Sequence, residues 1–219
     1  MSKITKLKKG SGRGKHVNVF LNGMFSFSLL DETAVKKALR VGQELSENEI
    51  KELQGDDRHQ RCYNVAVRFL GYRPRSESEV RQRLRRHGFD SECREKAISR
   101  LKEQGLVDDN EFARFWIENR ETFSPRSRKL TSLELRQKGL DSDTIERTVS
   151  EVNDSNSAYR AATSKASRLA ARDYNDFRRR LGEHLVRRGF SYDVVKETVE
   201  RAWKEQGRTA NNICGHENE

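Results

Sequence analysis

With 33% apolar against 36% charged residues, the 219-residue chain is too polar for one thick globular core, and a slender or repetitive architecture fits better. Its net charge of +10 turns attention to polyanions or an acidic protein as partner. No run approaches the ~18 apolar residues of a membrane span, and the three cysteines, Cys62, Cys93 and Cys214, stand in no metal or redox spacing. A membrane partner, a bound metal and a disulfide framework are therefore not expected, and a cytoplasmic location is.

Few prolines and abundant Glu, Arg, Lys, Leu and Ala predict a mainly α chain. The exception lies at the start. A basic leader, Lys3 to Lys15 with Gly10, Gly12 and Gly14, is too poor in apolar residues to order itself and is expected to be mobile at least in part. Its cations are either phosphate contacts or a solvated tail, and the pattern leaves both open. Two β-rich runs, His16 to Leu21 and Met24 to Leu29, flank Asn22-Gly23, the dipeptide that best accepts a type I′ turn. Alternation predicts one apolar face from Val17, Val19 and Leu21 with Phe25, Phe27 and Leu29. Such a hairpin needs a cover, expected from a helix starting at Asp31 (Val35, Leu39) and one capped by Ser46-Glu47-Asn48-Glu49. Gly55-Asp56-Asp57 reads as a hinge. Residues 1–58 are thus an N-terminal β-hairpin with helices.

Beyond Arg61 the chain repeats itself. Gly88, Gly139 and Gly189, 51 and 50 residues apart, each follow a leucine-led basic turn and precede an apolar residue (Phe89, Leu140, Phe190) and a helix-capping one (Asp90, Asp141, Ser191). Ten residues past each glycine stand Ile98, Val149 and Val199, and thirteen past it Leu101, Val152 and Ala202, an apolar stripe at helical spacing. A glycine after a basic last turn is suited to the left-handed position that ends a helix. Upstream helix starts are marked by Ser76-Glu77-Ser78-Glu79 and by Ser124-Pro125. A leading helix precedes each pair: Asn64 to Leu70, Phe112 to Arg120 and Ala158 to Ala171, with Val67, Phe115 or Trp116, and Leu169 on inner faces. The fold class is therefore mainly α, three tandem three-helix repeats (59–107, 108–153, 154–208) in an elongated or curved array, with a flexible tail at 209–219.

Charge is uneven, with 12 Lys/Arg against 6 Asp/Glu for Arg61–Val107, 8 against 10 for Asp108–Asn153 and 13 against 8 for Asp154–Arg208. The candidate partner-binding residues are Arg73, Arg75, Arg81, Arg83, Arg85 and Arg86 in the first repeat, Arg136 and Lys138 in the second, and Arg178, Arg179, Arg180, Arg187 and Arg188 in the third. The same basic turns also serve as solvated helix ends that complement the dipole. Trp116, Trp203, Phe115 and Phe177 are assigned to cores. The five histidines have no nucleophile or carboxylate at motif spacing, and the glycines belong to no phosphate loop, so neither catalysis nor a cofactor is expected.

Tyr72-Arg73-Pro74-Arg75-Ser76, with Glu79-Val80 and Arg83-Leu84 through Gly88-Phe89, resembles the opening signature of the RecX family. Gln104-Gly105-Leu106-Val107-Asp108-Asp109 with Phe112-Ala113, and Leu133-Glu134-Leu135-Arg136-Gln137-Lys138-Gly139, resemble it too, and the similarity spans Arg61 to Gln206. The resemblance implies a cytoplasmic, non-enzymatic protein; no feature of the sequence compels a dimer, and a monomer is expected. Its tandem units would lie in the groove of the RecA filament on DNA and restrain filament growth, ATP turnover and strand exchange. The competing expectation is direct DNA or RNA binding by helix-turn-helix-like units, prompted by the same basic clusters.

Overall fold

Asn22 and Gly23 turn the chain as their chemistry dictates, both at positive φ, +49° and +86°, the signature of a type I′ turn. The computed structural model describes residues 1–10, 15–169 and 172–214, with side chains through 206. Strands β2 (His16–Leu21) and β3 (Met24–Leu30) flank the turn. The leader, expected to be mobile, forms β1 (Ser2–Lys9), which pairs antiparallel with β2 and, along its other edge, with the short β4 (Glu44–Leu45). Four strands result, in the order β3-β2-β1-β4. Order comes from Ile4, fully buried against Val19 and Leu29, and from ladder partners on both edges of β1. Residues 11–14 of the leader lie outside the described residues.

Within the sheet, Phe25 leaves the expected core. A register irregularity after Val19 makes Val19 face Phe27 but Phe20 face Phe25. Phe27 and Leu29 stay inward, whereas Phe25, predicted on the same face, is 58% exposed.

Helices α1 (Asp31–Lys36) and α2 (Glu47–Leu70) follow, the latter started by the predicted Ser46/Glu49 capping box. Leu53, Ile50 and Leu39 cover the inner sheet face, but Val35 is 73% exposed while Thr33 and Ala34 are buried in its place. No hinge forms at Gly55, because α2 runs straight through it. The acids that read as a hinge are pins. Asp57, 4% exposed, accepts from the Leu30 N–H at 2.6 Å and from Arg61 Nε at 2.5 Å, and Arg61 also donates to the Ser28 carbonyl at 3.2 Å. Asp56 pairs with Lys37 at 2.5 Å. The sheet is thereby bound to the same helix that opens the first repeat.

Each repeat then supplies its helices. The first has the end of α2 with α3 (Glu77–Arg86) and α4 (Ser91–Glu103); the second has α5 (Asp109–Phe123), α6 (Arg128–Gln137) and α7 (Ser142–Val149). The third has α8 (Asp154–Ser167), α9 (Tyr174–Val186) and α10 (Tyr192–Cys214). The chain divides into two compact units, Met1–Val107 and Asp108–Glu219. Leu84, Leu135 and Leu185, four residues before each repeat glycine, are fully buried, and each contributes about 1.5–3 kcal/mol by leaving water. All six residues of the predicted stripe are buried as well. In the first repeat Cys62 and Ala66 fill the inner position expected of Val67, which is 37% exposed.

Helix α6 starts later than predicted. Its N-cap is Ser127, whose Oγ accepts from the Leu130 N–H at 3.2 Å, while Pro125 lies buried in the preceding connection. Helix α10 continues to Cys214, past position 208 where the third repeat was expected to give way to a tail. Positions 215–219 of that expected tail lie outside the described residues.

Candidate partner-binding surface

The second helix of every repeat ends in the same way. Gly88, Gly139 and Gly189 take φ of +78°, +84° and +83°, values that only glycine adopts freely. The N–H after each glycine donates to the carbonyl five residues back: Phe89 to Leu84 and Leu140 to Leu135 at 3.3 Å, and Phe190 to Leu185 at 3.4 Å. Each glycine N–H closes a second bond, to Arg85 at 3.0 Å and to Arg136 and Val186 at 2.9 Å. Because backbone donors satisfy the terminal carbonyls, the arginines of the last turn are not needed there. Arg85 and Arg86 on α3, Arg136 on α6 and Arg187 at the C-cap of α9 are exposed and form no ion pair among the described residues. Their interaction with the helix dipole is worth only ~0.3–1 kcal/mol at such exposure.

The other predicted cations are spent inside the protein to varying degrees. Arg73 forks onto Glu79 at 3.0 and 3.3 Å. Arg81 donates to Glu77 and to Glu95, both at 2.7 Å, and these carboxylates, Glu95 foremost, raise its pKa still further. Arg75 lies over the Phe69 ring at 4.1 Å, and burial, with Arg73 beside it, lowers its pKa. Arg83 is exposed and leans over the same ring at 5.5 Å. Lys138 sits over Trp116 at 4.9 Å. Arg179 and Arg180 share Asp176 at 2.7 and 2.9 Å, Arg180 doing most to hold that carboxyl below its usual range. Arg188 is half-buried beside His184 at 3.4 Å, and burial, then Arg126, lowers its pKa. Arg178 is exposed on the rim of a recess of about 260 Å³ between α9 and α10, floored by Val195 and Val199 with Tyr174 and Tyr192 at its edge. The structure thus splits the thirteen predicted residues: Arg85, Arg86, Arg136 and Arg187 project freely at the helix ends, Arg178 is exposed within α9, and the rest are engaged by carboxylates or rings or are half-buried.

A nearly buried ion-pair cluster on α6 was not anticipated. Glu134 on α6 is nearly buried and accepts from Trp116 Nε1 and Arg120 Nε, both at 2.8 Å, and from Arg126. A glutamate one turn from Thr131 and beside Leu135, on the buried stripe, was the available signal. Trp116, Trp203 and Phe177 pack against cores as assigned, and Phe115 is half-buried. Cys62 and Cys93 are buried thiols, with burial pushing Cys62 up to about 12. Among the described residues no cluster could hold a metal ion, and no helix is long and apolar enough to cross a membrane. What this arrangement offers chemically is a recurring cationic contact for an anionic surface.

Comparison with known proteins matches the first two of these repeats to family models, the first three-helix domain of RecX at residues 62–101 and the second at 108–149. A regulatory protein RecX of Clostridium botulinum (strain Alaska E43 / Type E3) is 28% identical over 207 residues, 92% of this chain and 97% of the relative. That of Bacillus subtilis (strain 168) is 29% identical over 202 residues, 90% of this chain and 76% of the relative. A crystal structure of regulatory protein RecX shares the fold with a TM-score of 0.67 at 22% identity, covering 91% of this chain and 100% of the other. RecX from Lactobacillus salivarius aligns at a TM-score of 0.58 and 23% identity over 67% of this chain and 97% of the other.

Proposed function

The chain belongs to the RecX family, and from that premise we propose that it is a regulatory protein that binds the RecA filament on DNA and lowers its ATP turnover, extension and strand exchange. It acts by binding, with no catalysis of its own. The observation that carries this reading is the recurrence of exposed, unpaired arginines at one place in each repeat, Arg85 with Arg86, Arg136, and Arg187. A filament presents the same surface at each subunit, so repeated weak cationic contacts accumulate into avidity without a deep pocket. The cations already held by Glu79, Glu77, Glu95 and Asp176 are assigned to stability rather than to contact.

The test is RecA's single-strand-dependent ATP hydrolysis with this protein added at substoichiometric ratios. Inhibition is expected. Replacing Arg85, Arg86, Arg136 and Arg187 by Ala should raise the concentration needed on the order of thirtyfold, taking roughly 0.5 kcal/mol for each exposed charge. No effect on turnover at any ratio, together with ordinary salt-sensitive binding to naked DNA, would sink the RecA reading in favour of direct nucleic-acid binding. Unchanged inhibition by the folded quadruple variant would reject the contact surface alone.

A further inference from the structure

Before Asp31 the sequence holds Lys3, Lys6, Lys8, Lys9, Arg13 and Lys15 and not one Asp or Glu. The same stretch builds β1, β2 and β3, so the sheet is made from the most one-sidedly basic part of the chain.

Two register irregularities lie side by side in this sheet, one in β1 between Ile4 and Lys6 and one after Val19 where β2 meets β3. Each shifts the alternation by one residue, so Lys6, Phe20 and Phe25 become direct cross-strand neighbours, with Lys8, Asn18 and Ser28 as the next row. The core lies on the opposite face, where Ile4, Val19, Leu21, Phe27 and Leu29 meet Leu53. Phe20 and Phe25 contribute nothing to it. They stand edge to face, centroids 5.9 Å apart at 76°, with Lys6 Nζ 5.9 Å from the Phe20 ring. Phe25, Lys6 and Lys8 are exposed and Phe20 is half-buried. An open sheet face that combines two phenyl rings with lysines on the neighbouring strand carries both features that unpaired nucleotides need: flat apolar faces for bases and point charges for phosphates.

We propose that this outer sheet face binds single-stranded nucleic acid, one base stacking on Phe25 and a neighbouring base against Phe20, with Lys6 and Lys8 on the phosphates. Duplex nucleic acid hides its bases in the stack and reaches only the lysines. An acidic peptide likewise uses the lysines and leaves the rings idle, and a lipid surface takes Phe25 and Met24 for their apolarity alone. Sequence preference is weak, because every base has a π face. This site is independent of the RecA reading and of the arginines at the repeat ends.

The experiment uses the full chain and fluorescence anisotropy with a short labelled oligothymidylate, the matching duplex, and vesicles containing phosphatidylglycerol. The single strand should bind more tightly than the duplex. Phe25→Ala and Phe20→Ala should each weaken it roughly tenfold, Phe25→Tyr should retain it, and Phe25→Leu, which keeps the apolar surface without the ring, should not. Replacing Lys6 and Lys8 by Ala should flatten the salt dependence by about 0.7 in slope per lysine. Replacing Arg85, Arg86, Arg136 and Arg187 should leave these ring-dependent effects in place. Phe25 is exposed, so its variants keep the fold, which far-UV circular dichroism verifies. Equal affinity for duplex and single strand, wild-type binding by Phe25→Ala or Phe25→Leu, or binding to vesicles alone would each overturn the proposal.

Discussion

Gly189→Ala should destabilise the protein well beyond Gly88→Ala, although both glycines cap equivalent helices at nearly the same positive φ, +83° and +78°. Forcing alanine into the left-handed region costs about 1–2 kcal/mol at either position. At Gly88 nothing lies within 4 Å of the added methyl, so the backbone term is the whole cost. At Gly189 the methyl meets Ser127 Oγ at 2.6 Å and Leu130 Cβ at 3.0 Å. Neither atom can easily give way. Leu130 Cβ is fixed to the α6 backbone, and Ser127 is fully buried, its Oγ engaged by the Leu130 N–H and its own N–H donating to the Arg188 carbonyl at 3.0 Å. Overpacking of this kind adds about 1–3 kcal/mol, which brings Gly189→Ala to about 2–5 kcal/mol. Urea unfolding followed at Trp116 and Trp203, both in the unit that contains Gly189, measures this loss, and far-UV circular dichroism measures that of Gly88→Ala. Amide exchange at Ser127 should quicken in the Gly189 variant. Equal losses in the two variants would refute the claim that the third cap is fitted against the start of α6.

Glu134→Ala should cost about 2–3 kcal/mol and red-shift Trp116 emission; this is less than the ~3–5 kcal/mol of a fully buried pair because Arg120 and Arg126 keep some solvent. A change within the ~0.5 kcal/mol of an ordinary surface substitution would show that the three donors do not depend on it. His184 is held below its ordinary pKa by burial first and by Arg188, Lys165 and Arg187, against a hydrogen bond with the Ala161 backbone. The unfolded chain takes up this proton near pH ~6.5, the folded chain at lower pH, so the stability it contributes is complete above ~6.5 and lost as pH falls through the folded value. Wild-type protein should therefore lose more stability than His184→Gln between about pH 7.5 and about pH 5.5. Parallel losses would refute that assignment.

The repeats were legible because each is written in local chemistry: a glycine at a left-handed cap, an apolar residue after it, an acceptor at the next N-cap. Asp90 and Asp141 accept from Cys93 and Thr144 at 2.8 Å, as their positions implied. The N-terminal module was only half legible, since alternation reports strands but not the irregularities that reset it. Phe25 breaks its own strand's period, because β3 spends two residues, Phe27 to Phe25, where β2 spends one, Val19 to Phe20. The ordering of the leader was hidden for a similar reason. Lysines that look like a solvated tail when read along the chain belong to a strand held on both edges, by β2 on one side and on the other by β4, more than 40 residues away (Lys3 with Glu44). Gly55-Asp56-Asp57 misled because their composition is that of a turn, while their bonds to Lys37, Leu30 and Arg61 are those of a joint.

In the candidate surface, an acid one turn earlier tells which arginines are spent, and its failures are instructive. Arg81 follows Glu77 and Arg180 follows Asp176 by four residues, and both are paired as that spacing implies. Arg85 follows Arg81, Arg86 follows Gln82 and Arg136 follows Ser132, none of them acidic, and all three are free of ion pairs among the described residues. Arg83 and Arg187 break the rule: each has a glutamate four residues before it, Glu79 and Glu183, yet those carboxylates are held by Arg73 at 3.0 Å and by Arg179 at 3.6 Å. Competition among several arginines for one carboxylate is a property of rotamers and reach, not of spacing. Arg83 and Arg187 are therefore the positions where deleting a different residue changes the surface. Glu79 released from Arg73 lies within a turn of Arg83, and Glu183 released from Arg179 lies within a turn of Arg187, so that Arg73 keeps Arg83, and Arg179 keeps Arg187, out of those ion pairs.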